Sequence, residues 1–396
     1  MDMDTPPNRK QLRRRLAGLA GMIAAAGTLW VVACGSTEPR GAGPTGQILV
    51  VSPGDESVTS IDGATGRLDV RVPVGPGAWQ VTGASGGALF VLSIGAASGQ
   101  GAVRQVARSG ATWMRREVEL EPGAGARLLA GDGGGTIVVV YGVPAAAGDA
   151  DHGPAAGACR LAVVDGRTGA VLRRFTVCDA AREGATAAAV WSDDGAVVAL
   201  AVERHAGDPG RPPPSGARVL VVDLRTGAAV AAATLPGAAA QLVVGAAPQT
   251  DEGVLYGVQA IPPVPHPAPW DDDPAQWRWQ LLALRLPDLA PVGVWPLPHA
   301  LRWLAVAPDG GHAYALADGY GTAPDTRVLG LDLRTGSWTT VHRAPGAAAG
   351  LAVFEHRIYV AGFDRAEVWA LDRHTGGPLG GTRLSAPPVW LTLARP

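Results

Sequence analysis

The stretch Val163-Val164-Asp165-Gly166-Arg167-Thr168-Gly169 decides the fold, because it returns along the chain. Copies stand at Val222-Asp223-Leu224-Arg225-Thr226-Gly227, Leu331-Asp332-Leu333-Arg334-Thr335-Gly336 and Leu371-Asp372-Arg373-His374-Thr375-Gly376, with an early one at Ile61-Asp62-Gly63-Ala64-Thr65-Gly66. The residue types explain one another. An aspartate carboxylate closes an Asx-type turn, the threonine bonds locally, and the glycine takes the positive φ that a bulge requires. Apolar runs alternating at period two flank each copy, as at 160–164 and 170–177, so each is the turn of a β-hairpin. A strand-rich unit recurring every 40 to 60 residues or so is a propeller blade.

Reading outward from each turn gives four short strands per unit. The sixth unit is the clearest, with strands expected at 301–307, 313–317, 328–332 and 337–342; the seventh follows with 351–354, 357–361, 367–372 and a last strand near Thr382. Degraded turns at Val106-Ala107-Arg108-Ser109-Gly110 and Leu286-Pro287-Asp288-Leu289 bring the count to seven. The first turn is preceded by only two strands, 47–52 and 57–61, so blade one lacks its innermost strand. The chain ends in Val389-Trp390-Leu391-Thr392-Leu393-Ala394, which resembles the innermost strand Arg302-Trp303-Leu304-Ala305-Val306-Ala307. Pairing this end into blade one closes the ring and removes a free sheet edge. The sequence thus predicts an all-β fold, a seven-bladed β-propeller of four-stranded blades over residues 47–396.

These turns and the blade count resemble the bacterial YVTN and quinoprotein-like (WD40-like) propeller superfamily over the whole length after residue 46. Dehydrogenases that use pyrroloquinoline quinone share the turn but follow it with a tryptophan at a fixed offset that docks neighbouring blades. Here the residues after Thr-Gly are mostly Ala, Val, Leu and Arg, with Trp338 the one near match. The sequence calls for no cofactor; pyrroloquinoline quinone and calcium are the candidates to be weighed against that expectation.

The N-terminus reads as a targeting segment. Arg9, Lys10, Arg13, Arg14 and Arg15 precede an apolar run over 16–33, expected to be a signal helix, that ends in Val31-Val32-Ala33-Cys34-Gly35. That ending resembles a bacterial lipobox, whose cysteine is lipidated and becomes the first residue. Residues 1–33 are therefore expected to be a signal peptide, Cys34 the lipidation site and 34–46 a turn-rich flexible tether. The chain is then held at the cell membrane, facing the periplasm or exterior. Beyond the leader, 28 basic residues stand against 33 acidic ones, no excess of positive charge that would draw nucleic acid. Lysine and asparagine occur only at Lys10 and Asn8, so the body offers no lysine for a P-loop or Schiff base.

Cys159 and Cys178 flank the blade-three hairpin almost symmetrically about its turn, and an oxidising compartment would join them. Insertions supply the candidate binding face, since a propeller's specificity lies in its loops. Blade three inserts residues 145–158 with Asp149, Asp151 and His152; blade four inserts 204–217 with His205, Asp208 and Arg211. Blade five inserts 262–277 with His266, Trp270, Asp271, Asp272, Asp273 and Trp277, and blade six a shorter 319–326. All fall between the second and third strands, which places them on one face. Acidic, histidine and aromatic groups there suit a protein or glycan partner. The Trp270-Asp271-Asp272-Asp273 cluster lacks the spaced ligand loop of a calcium motif, and the eight histidines show no ligand spacing.

Gly83-Ala84-Ser85-Gly86-Gly87 matches the nucleophile elbow G-x-S-x-G, yet it falls between two strands where the elbow needs a helix to follow. His312 and His374 are expected in turns of the repeat. Two functions remain: a monomeric, non-catalytic, membrane-anchored binding scaffold, or a propeller enzyme working in the central channel, such as a quinoprotein-like oxidoreductase, lyase or lactonase. No catalytic residue is assigned.

Overall fold

The computed structural model describes residues 32–33, 46–95, 101–109, 111–121, 124–131, 135–143, 158–179, 183–191, 197–204, 217–235, 238–247, 250–261, 278–298, 301–318 and 325–394. They form seven antiparallel sheets, each built of four strands in meander order. Blade two, for example, runs through Ala78–Gly83, Leu89–Ile94, Gly101–Ser109 and Thr112–Glu117 from the inside outward. Blade one departs from simple sequence order. Its innermost strand is Trp390–Ala394, paired antiparallel with Gln47–Ser52 in the register Gln47 to Ala394 and Val51 to Trp390, and Ser57–Asp62 and Leu68–Pro73 complete the sheet. Each innermost strand touches the next around the ring, including Trp390–Ala394 against its neighbours in blades two and seven. The fold is a closed seven-bladed β-propeller.

Val32–Ala33 lie extended beside Leu242 and Val243 of the blade-five innermost strand, as a two-residue parallel addition. The rest of the expected signal helix, Cys34 and the tether to residue 45 lie outside the described residues. Among the described residues no helix is long and apolar enough to cross a membrane.

The five intact turns behave as their chemistry dictates. In each, the glycine amide bonds the aspartate carbonyl four residues back at 2.7–2.8 Å, and Gly66, Gly169, Gly227, Gly336 and Gly376 hold φ between 70° and 75°. The aspartate carboxylate accepts the threonine amide in every copy: Asp62 from Thr65 at 2.7 Å, Asp165 from Thr168 at 2.6 Å, Asp223 from Thr226 at 3.1 Å, Asp332 from Thr335 at 3.1 Å and Asp372 from Thr375 at 2.8 Å. These carboxylates are structural. A second bond ties several turns to the first hairpin of their own blade, as Gly166 donates to the Gly135 carbonyl at 2.8 Å and Arg373 to that of His356 at 2.7 Å.

The turns pack on the preceding blade: Gly169 meets Gln105 of the third strand of blade two, and at two other joints a fourth-strand aromatic fills the space. Phe175, opposite Leu161 in register, lies under Gly227, where an added Cβ would come within 2.0 Å of its ring. Trp295, opposite Leu281, lies under Gly336 in the same way, 2.9 Å from an added Cβ. The degraded blade-five turn shows the complementary solution. Leu289 stands where glycine would, at φ 57°, with its amide on the Arg285 carbonyl at 2.8 Å, and it is buried in the same cluster as Ala233, the small residue at the Phe175 position of blade four. Where the intact turns set glycine over an aromatic, the degraded turn buries a leucine in the cluster on which an alanine packs. Arg285 and Asp288, joined at 2.6 Å, replace the aspartate and threonine bond.

Two expectations need correction. His312 is not in a turn: it opens the second strand of blade six opposite Asp332 and stacks on Tyr314. The innermost strands of blades six and seven also differ from their expected bounds, running over Leu301–Val306 and Ala348–Phe354, because the blade-seven strand is lengthened past a bulge that its apolar pattern hides.

The turn carboxylates set a pH dependence. Asp62 and Asp165 are held below the usual carboxylate range, first by the threonine hydroxyl and then by its amide, while Asp372 is lowered first by the Thr375 amide. A lowered folded value means stability that is whole above the unfolded pKa of about 4 and is lost as pH falls through the folded values. The melting temperature should be level from neutral pH to about 5 and decline below about 4, and a triple Asp62→Asn, Asp165→Asn, Asp372→Asn variant should flatten that decline. Thermal melts across the acid range check this; parallel curves would refute the role given to the turns.

Candidate functional site

In a four-stranded meander, the link between the second and third strands leaves the sheet at the end opposite the repeated turns. The long links of blades three to six therefore rise from one face. The second and third strands that carry them are Thr136–Val143 and Ala158–Asp165, Val197–Arg204 and Ala217–Asp223, Thr250–Ile261 and Arg278–Arg285, and His312–Asp318 and Asp325–Asp332. Ala158, Arg204 and Ala217 belong to strands, so the insertions are slightly shorter than the sequence suggests. Asp149, Asp151, His152, His205, Asp208, Arg211, His266, Trp270, Asp271, Asp272, Asp273 and Trp277 lie outside the described residues.

The base of this face is described, and in blade three it is braced. Cys159 and Cys178 are directly opposed in register with Cα atoms 4.9 Å apart, and their sulfurs are bonded. One residue on, the Arg160 guanidinium pairs with Glu121 from the blade-two to blade-three link, and the Tyr141 hydroxyl donates to the same carboxylate at 3.3 Å. Burial, and secondarily Glu121, pushes the Tyr141 hydroxyl above its usual range. Arg174 donates to the Glu119 carbonyl at 3.0 Å, so the link is gripped twice. In blade five, Gln280 donates to the buried Gln259 at 2.5 Å, three residues before the start of the longest insertion.

The channel end of the same face is shaped by a repeated bulge that sequence reading missed. Register shifts fall between Ala78 and Gln80, Ala185 and Ala187, Ala239 and Gln241, Leu301 and Trp303, and Ala348 and Gly350. One residue is thus skipped at the same level of five innermost strands, which breaks the pairing beside the channel entrance. The next residue inward joins the blades. Gln80 accepts the Leu129 amide of blade three at 3.0 Å, and Gln241 donates to the Leu304 carbonyl of blade six at 3.0 Å. On the other side, Trp303 and Trp390 meet edge to face with centroids 5.5 Å apart, although blade seven lies between their blades. Gly350 lets the closing strand of blade one approach blade seven: a Cβ there would stand 2.7 Å from the Leu391 Cβ. A glutamine recurring in otherwise apolar innermost strands, at Gln80 and Gln241, was the available signal.

The remaining motifs resolve as turns and joints. Gly83 to Gly87 is a tight turn closed by the Ala84 amide on the Ala88 carbonyl at 2.8 Å, with Gly86 and Gly87 both at φ 75° and a strand following. Trp338 donates through Nε1 to the Pro296 carbonyl at 3.1 Å and so docks blade six on blade five. Among the described residues no group of His, Cys, Asp and Glu is arranged to hold a metal ion.

No family model matches the chain, and no curated protein does. Solved structures share the fold. The hydrazine synthase of Kuenenia stuttgartiensis superposes with a TM-score of 0.59 at 15% identity, over 88% of this chain and 96% of that one. A putative 6-phosphogluconolactonase from Bacteroides uniformis gives 0.56 at 12% identity over 89% and 100%, and the dihydro-heme d1 dehydrogenase NirN in complex with DHE 0.55 at 16% over 90% and 76%. At these identities the likeness is one of architecture.

The disulfide is the testable brace of the loop face. Replacing both Cys159 and Cys178 by serine should cost about 3 kcal/mol in the chain-entropy account, read as a lower denaturant midpoint. Non-reducing peptide mapping of the unaltered protein should recover the two cysteines in one linked fragment; two free thiols would contradict the bond.

Proposed function

We propose that the chain is a non-catalytic propeller, anchored outside the cytoplasmic membrane by a lipid on Cys34, whose insertion-bearing face binds a protein or glycan partner. The observation that carries this reading is where the chain spends its polar residues. The seven innermost strands include only Arg127, Glu183 and Arg302 as ionisable residues, a poor set for acid and base chemistry in the channel. The insertions of blades three, four and five supply the acidic, histidine and tryptophan residues instead, on strands of consecutive blades. The disulfide and the Arg160 and Glu121 pair support the same reading, since a binding loop benefits from a rigid base. Neighbours in the fold include proteins whose names denote enzymes, so the architecture itself favours neither use.

The test compares affinity capture from detergent-solubilised membranes by the intact protein and by a form in which residues 262–277 are replaced by a short glycine turn. The shortened protein should melt normally and lose the captured partner. Recovery of the same partner by both forms would refute a blade-five recognition surface.

A further inference from the structure

The joint that closes the ring, between the blade-one turn and blade seven, is filled unlike those at Gly227, Gly336 and Leu289. At the position that Phe175 and Trp295 occupy, opposite the residue four before the turn aspartate or its equivalent, blade seven has Thr382, facing Val368. The two preceding residues, Gly380 and Gly381, carry no side chains, and nothing lies within 4 Å of where a Gly380 Cβ would be. The blade-one turn brings Gly66 rather than a leucine to the gap. A cleft of about 190 Å³ results, between Thr65 and Gly66 above and the second, third and fourth strands of blade seven below.

The polar groups of the cleft around Arg357 are committed within the protein. Tyr359 donates to the Gly63 carbonyl at 2.7 Å, Thr382 to the Gly66 carbonyl at 2.9 Å, and Thr65 to the Asp62 carboxylate at 2.8 Å. Asp62 feels the Arg357 charge, but its Oδ1 is already taken by the Thr65 amide and hydroxyl. Arg357 reaches under the turn, its Nη1 3.5 Å from where a Gly66 Cβ would stand, and its side chain also hydrogen-bonds the Tyr359 hydroxyl. Ile61, Val368 and Ala370 make the remaining wall apolar, and Leu379, 46% exposed, stands at the lip. A guanidinium lining a cleft beside an apolar wall recognises an anion that carries a hydrocarbon body.

We infer that this cleft is a binding site for a small monocarboxylate, with the carboxylate on Arg357 and the apolar body between Ile61 and Leu379. The site lies on the face opposite the insertions and does not depend on their function.

The inference is tested by calorimetric titration of the intact protein with sodium butyrate, and with sodium phosphate as an anion lacking a hydrocarbon body. Butyrate should bind at one site per chain and phosphate at least tenfold more weakly. Arg357→Gln should weaken butyrate binding at least tenfold, and Thr382→Phe, which recreates the filled joint of blade three, should abolish it while the melting temperature holds or rises. Absence of saturable butyrate binding would overturn the inference, as would butyrate binding unchanged in folded Thr382→Phe, or phosphate binding as tight as butyrate.

Discussion

A blade is a sheet with two faces to cover and no helix to cover them, so each must lie against two neighbours. Seven such sheets satisfy one another only when the ring is complete, and here completion depends on one five-residue strand, Trp390–Ala394, lying beside Gln47–Ser52. That pairing puts the first and last strands of the propeller in one sheet. It also brings Trp390 to Trp303, and both indoles are buried. Closure therefore joins hydrogen bonding at a sheet edge to aromatic packing near the axis.

Around the rim the same requirement is met by a different currency of shape. Each repeated turn must seat on the blade before it, and the available volume is divided between the turn residue and the fourth-strand residue beneath. Gly227 over Phe175 and Gly336 over Trp295 divide it one way, Leu289 over Ala233 the other. The backbone strain of a leucine at φ 57° is offset by the burial of its side chain, which is 5% exposed. The closing joint alone among these has small residues on both sides, Gly66 above Gly380, Gly381 and Thr382, and the cleft at Arg357 follows from that.

The blade count and ring closure were legible because their causes are local. Asp, Thr and Gly at fixed spacing satisfy one another within six residues, so the string itself specifies a hairpin, and a first blade short of a strand demands one from elsewhere. What escaped reading depends on ring geometry. The contact of Trp303 with Trp390 links blades that are not neighbours, and the partners of Gln80 and Gln241 lie 49 and 63 residues away. The bulges of the innermost strands hide because skipping one residue leaves the apolar composition unchanged. His312 was misplaced since Pro308 to Gly311 already supply the turn, leaving it to start the strand. The cleft could not be read at all, because it consists of side chains that are missing. The insertions, by contrast, announce themselves as composition, and among the described residues their anchoring strands carry the disulfide and the Glu121 clamp.

The first and last strands of the propeller form one sheet, which opens only when the whole propeller opens. Native-state hydrogen exchange of the backbone amides in Trp390–Ala394 and Gln47–Ser52 tests this most directly. If the closure is as described, their bonded amides exchange with the slowest class, with the same denaturant dependence as the innermost strands of blades two and seven. Exchange of the 390–394 amides through a small local opening, well before those strands, would mean that the ring stands without its clasp and would contradict the central claim.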